Sequence, residues 1–100
     1  MNYLTVNYGL NQSYSVNTTA LEELINYCIK DIKGLKVDGK IKLTFTKDQQ
    51  NVAISFNFKI KQNKNIAEIV NNFANDLEKK FILLLGIKPT NLQMNFVGFY

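Results

Sequence analysis

The side chains able to do chemistry in this chain are twelve lysines, eight carboxylates and one cysteine, with no arginine and no histidine. That inventory removes most catalytic designs. Without histidine the usual general base near neutral pH is missing, and Ser-His or Cys-His nucleophile pairs cannot be assembled. A zinc site has too few nitrogen and sulfur ligands to draw on. The carboxylates Glu22, Glu23, Asp31, Asp38, Asp48, Glu68, Asp76 and Glu78 lack calcium-loop spacing. Asp76 and Glu78 stand two apart in a helix-period segment, so they point to different sides and form no acid/base pair. The five glycines are isolated from one another, which leaves no phosphate-cradling loop. The expectation is a protein that is not an enzyme, with no cofactor and no metal.

Cys28 falls on an apolar stripe and reads as a buried packing thiol, because a reactive thiolate needs a helix N-terminus or a cationic neighbour. As the only cysteine it can form no intramolecular disulfide, so an oxidising compartment is not required. The opening "MNYLTVNYGL" has no basic start followed by an apolar stretch, and the longest apolar run, 81–87, is far short of the ~20 residues of a membrane-spanning helix. A cytoplasmic protein with no direct membrane span is expected.

The net charge of +4 invites a phosphate or lipid reading. Its composition weakens that invitation. Every basic residue is lysine, whereas arginine is the preferred bidentate partner of phosphate and guanine. Lysine, asparagine and isoleucine have AT-rich codons, so their abundance points to an AT-rich genome; a coding sequence of ordinary GC content would refute this. One local cluster is sharper. "KIKQNKN" sets Lys59, Lys61 and Lys64 just ahead of Asn65 and a helix start, where free amides and the helix dipole favour an anion by about 0.3–1 kcal/mol. The competing reading is a solvated loop guarded by lysines.

The elements that must position these groups follow from periodicity. One hundred residues make a single domain, burying roughly 65% of the surface of the unfolded chain. Residues 2–8 alternate as a strand, and 11–15 turn the chain, with room for a second short strand. From Asn17, the residues Ala20, Leu21, Leu24, Ile25, Cys28, Ile29 and Ile32 recur at three and four, the stripe of an amphipathic helix. Its start is open between an Asn17 cap and a Thr19/Glu22 capping box; Gly34 suits its end. After a turn at Asp38-Gly39, Ile41, Leu43 and Phe45 and then Val52, Ile54, Phe56, Phe58 and Ile60 alternate as a hairpin. A second helix runs from about Ile66 to a stop at Gly86. Leu92, Met94, Phe96 and Gly98 then share one face of a last strand. The fold class is α+β in the order β-α-β-β-α-β: one mainly antiparallel or mixed sheet with two helices packed on one face.

The sheet face away from the helices is the candidate interaction face, carrying Tyr3, Lys42, Thr44, Asn57, Gln93, Asn95 and Phe99. It is polar and basic enough for RNA, yet single-strand readers stack bases on central aromatics and this face offers them only at strand ends. An αββ core followed by a helix also resembles KH domains, whose GXXG clamp is absent here. An uncharged amide-rich centre suits a partner sheet or subunit equally.

"SVNTTALEELINYCIKDIKGL" resembles the opening helix of the bacterial alkaline shock protein family, with Gly34-Leu35 as its closing Gly-hydrophobic pair. "NIAEIVNNFANDLEKKFILLLGIKPTNLQMNFVGF" is similar to the family's closing half, a helix ended by Gly86-Ile87 and an alternating strand in which Gly98 falls at a family glycine. The likeness covers most of residues 9–99. Pro89 replaces a usual aliphatic residue, and the middle hairpin matches in type more than in residues, as in a divergent member. The resemblance implies a non-enzymatic cytoplasmic protein of cell-envelope stress, acting through self-association and a protein partner that is membrane-anchored in some members. It brings no catalytic residues. RNA is the alternative partner.

Overall fold

Val52, Ile54, Phe56, Phe58 and Ile60 alternate along one strand, and every one of them is buried. The computed structural model describes residues 3–100. In chain order its elements are β1 (Tyr3–Gly9), β2 (Gln12–Asn17), α1 (Thr18–Asp31), β3 (Leu35–Phe45), β4 (Val52–Ile60), α2 (Ile66–Leu85) and β5 (Asn91–Phe99). The strand with the buried row, β4, is the middle of a three-stranded sheet, antiparallel to β3 and parallel to β5. The parallel pairing follows from α2, which carries the chain from the end of β4 back to the start of β5.

The α+β architecture with helices packed on a sheet matches the sequence expectation. Its strands are divided differently. Residues 12–17 form a strand that pairs with β1, and these two make a separate hairpin instead of adding β1 to the main sheet. A backbone bond from Thr5 N to Gln49 O, 2.6 Å, ties the hairpin to the β3–β4 turn. Leu4 and Val6 are buried, so the hairpin extends the same core.

α1 starts at Asn17, whose side-chain oxygen accepts from Ala20 N at 2.9 Å, which settles the rivalry with Thr19. α1 buries Leu21, Ile25 and Cys28. α2 buries Ile69, Phe73, Leu77, Phe81 and Leu85, a row at four-residue steps, and Phe73 meets Phe56 edge to face at 5.7 Å. It ends at Gly86, in the left-handed conformation (φ 73°) that a side chain would strain.

Three details differ from the sequence reading. α1 ends at Asp31 with Ile32 as its C-cap, short of the expected Gly34. β3 begins at Leu35 and runs straight through Asp38-Gly39, which forms a slip in the ladder between Asp38 and Lys42 instead of a turn. The hydrogen bonds β4 offers on that side hold the chain in register on either side of the slip. In β5 the ladder slips at Val97, because Phe58 pairs with Phe96 and Lys59 with Gly98 (φ 152°). The bulge turns every later residue to the other face.

Replacing Phe73 by alanine removes the ring that seals β4 and should cost about 3–5 kcal/mol, whereas Leu83→Ala on the exposed side of α2 should change stability by less than about 0.5 kcal/mol. Urea denaturation of the two variants checks this; equal effects would refute the placement of α2.

Candidate interaction surface

On the open face of the main sheet, Lys42, Thr44, Asn57, Gln93 and Asn95 are all exposed. Asn57 and Asn95 are ladder partners on β4 and β5, and Asn95 Nδ2 donates to Asn57 Oδ1 at 3.2 Å. Gln93 Nε2 donates to Asn95 Oδ1 at 3.4 Å, which extends the amide row along β5. Lys42, Thr44 and Gln93 line a shallow depression of about 290 Å³ across β4. Such a face offers hydrogen-bond donors and acceptors in its amide row, with the charges of Lys36, Asp38, Lys42 and Lys59 on β3 and β4 beside it.

Two of the expected members are elsewhere. Tyr3 pairs with Asn17 in the β1–β2 hairpin, because β1 never joins the main sheet. Phe99 pairs with Ile60 on the helix side, since the bulge at Val97 flips it, and its ring packs on Phe96 at 5.1 Å. The sheet phenylalanines Phe45, Phe56, Phe58, Phe96 and Phe99 are thus in register with the buried row of β4. The open face loses the strand-end rings of Tyr3 and Phe99 as well, which leaves no base-stacking ring among its expected members.

The lysine cluster is brought together only in part. Lys59 lies within β4, opposite Lys36, and belongs to the open face. Lys61 and Lys64 form the turn before α2, with Lys64 N donating to Lys61 O at 3.3 Å. The helix N-terminus is already served: Asn65 Oδ1 accepts from Glu68 N at 3.0 Å, and Glu68 supplies negative charge in the first turn. The adjoining depression of about 400 Å³ is lined by Asp31 and Glu68 as well as Lys33 and Lys64. Carboxylates and lysines there offset one another.

A second polar cluster joins the helices. Lys80 Nζ reaches Asp76 Oδ2 at 2.9 Å and Asp31 Oδ2 at 3.2 Å, and stands 5.3 Å from the centre of the Tyr27 ring. The bond to Asp76 leads the factors that hold the lysine above its ordinary pKa. Beneath it, burial pushes the Cys28 thiol from 9.0 up to about 11, outweighing the nearby Lys80 charge. Cys28 is therefore a neutral packing group, as its place on the stripe implied.

Sequence reasoning missed where the exposed apolar surface gathers. At the hairpin end, Tyr8 (65% exposed) and Leu10 (91%) project, Tyr8 lies 5.7 Å from the Tyr14 ring, and Tyr14 Oη donates to Leu84 O at 3.1 Å. Leu83 and Leu84 are exposed on the same helix end. Past the other end of β4, Phe96, Val97, Phe99 and Tyr100 are each 41–50% exposed. A signal existed in the sequence: no charged side chain precedes Glu22 or follows Lys88. The chain matches no family model, no curated protein and no solved structure.

Because the folded thiol keeps its proton to about pH 11, the unfolded chain alone releases one as pH rises from about 9. Stability held below pH 9 is then lost between pH 9 and 11, and the loss should be smaller in Cys28→Ala. Urea midpoints at pH 8 and 10.5 check it; equal slopes in both proteins would refute the burial.

Proposed function

We propose that this protein is a non-enzymatic adaptor or scaffold of the cell envelope, working through contact with itself and with a protein partner. The observation that carries the reading is that the two terminal segments, which hold no charged residue, expose apolar side chains. All twenty charged side chains lie between Glu22 and Lys88, and the uncharged segments on either side form two apolar ends. One end is the hairpin with Tyr8, Leu10 and Tyr14, bound near the start of β4; the other is the tail of β5, held at the end of β4 by the Tyr100 N to Ile60 O bond at 3.1 Å. The molecule measures 51 × 23 × 18 Å, so two such surfaces can engage two neighbours at once. Aromatic and leucine side chains suit the desolvated centre of a protein contact, and at the β5 end Lys36 Nζ borders them, 5.8 Å from the centre of the Tyr100 ring.

The resemblance to alkaline shock proteins supports the same reading and supplies the envelope setting. No helix among the described residues is long and apolar enough to cross a membrane; in this reading the membrane is reached through the partner.

The test is crosslinking of the tagged chain in the cells that make it, comparing wild type with Tyr8→Ser/Leu10→Asp. A protein recovered by the wild type and lost from the hairpin variant is the expected result. Identical recovery by both, or salt-dependent binding of single-stranded RNA with no protein captured, would overturn the adaptor reading.

A further inference from the structure

Among the described residues β5 has β4 on one side and no strand on the other. A free strand edge presents unpaired N–H and C=O groups, and proteins commonly blunt it with charge, proline or a bulge. The opposite edge of this sheet is blunted in that way: Lys36, Asp38, Lys40 and Lys42 stand along β3, and its ladder slips between Asp38 and Lys42. β5 differs. It carries no charged side chain from Asn91 to Tyr100, and its slip at Val97 leaves Asn91 to Phe96 as an uninterrupted edge.

We propose that two copies of this chain pair antiparallel through β5 about a two-fold axis at Met94, joining two three-stranded sheets into one of six strands. The proposal rests on the associative reading above and names one of its partners. Charge favours this edge. Each copy carries +4, so most approaches bring lysine towards lysine, and pairing along β5 does not.

Shape selects the register. With Met94 opposite Met94 of the second copy, Leu92 stands opposite Phe96 of that copy and Gln93 opposite its Asn95. Beside Leu92, on the helix side, β5 and α2 leave an open depression of about 330 Å³ lined by Ala74, Leu77, Pro89 and Leu92. Phe96 and Phe99 project from that same side, half exposed and packed on each other. The two-fold brings the ring pair of each copy to the depression of the other, and a cavity of roughly 150 Å³ already accepts a benzene ring. Glu78 and Lys88, on its rim, neutralise each other at 3.2 Å. On the open face the amide row of Asn57, Asn95 and Gln93 continues into its copy, since amides both donate and accept.

The uninterrupted stretch Asn91–Phe96 gives about 20 Å of edge, and with the helix layer an interface on the order of 500 Å² a side. That is near the lower limit for specific association, so a reversible dimer in the micromolar range is expected.

The test is sedimentation equilibrium of the full chain beside two charge variants, Q93K/N95K and Q93E/N95E, with circular dichroism confirming that each folds. Both positions are exposed, so the fold should tolerate them. The wild type should dimerise, each variant alone should dimerise at least tenfold more weakly because like charges face each other, and an equimolar mixture should recover the dimer. Phe99→Ala should weaken the wild-type dimer without changing the fold. A wild type that stays monomeric to about 100 μM, or charge variants that remain monomeric when mixed, would overturn β5 pairing. Dimers that survive in both variants would also overturn it while leaving the associative reading intact; that reading fails separately, by the crosslinking result above.

Discussion

The structure depends on keeping β4 dry. Five large apolar side chains on one face of a strand bury enough area to stabilise the domain, at roughly 1.5–3 kcal/mol each when fully covered, but only if the strand is hydrogen-bonded on both edges and capped by helices. β3 and β5 meet the first condition and α2 the second, with Phe73 of α2 against Phe56 of β4. α2 returns the chain from the end of β4 to the start of β5, and this makes β5 a parallel outer strand. Its free edge is thus a by-product of how β4 is covered.

The same constraint explains where charge can go. Carboxylates and lysines occupy the outward sides of α1, α2, β3 and β4 and the connecting loops, where water solvates them, and a cluster between the helices is internally matched, with Lys80 shared by Asp31 and Asp76. β1, β2 and β5 carry no charged residue at all. The outward sides of those strands hold asparagine, glutamine, serine, tyrosine and phenylalanine, which contact protein at a lower desolvation cost than lysine does. The bulge at Val97 adds to this. By turning Phe99 to the side of Phe96 it makes a paired aromatic lip from two rings that strict alternation would have placed on opposite faces.

Much of the fold was legible in the residues. The stripes of α1 and α2, the caps at Asn65 and Gly86, the alternation of β4 and the burial of Cys28 all rest on local signals and are found where the pattern puts them, except that Ala20 and Leu84, at the helix ends, are exposed. The open-face positions Lys42, Thr44, Asn57, Gln93 and Asn95 follow from the same alternation. Tyr3 and Phe99 were misplaced because each depends on a non-local event: β1 chose β2 as its partner, and the β5 ladder slipped by one residue. The start of β3 was misjudged at Asp38-Gly39 because a local turn signal competed with a ladder whose other strand lies about twenty residues away.

By itself, then, the sequence determined the chemistry this chain lacks, the two amphipathic helices and the buried row of β4, since residue type and period act over a few neighbours. Only the tertiary structure decided which strands share a sheet, which edge is left open and which face Phe99 occupies. Those outcomes depend on backbone hydrogen bonds between distant segments, and the side-chain pattern does not encode them: a strand satisfies the same alternation with either neighbour, and a single bulge reverses its faces.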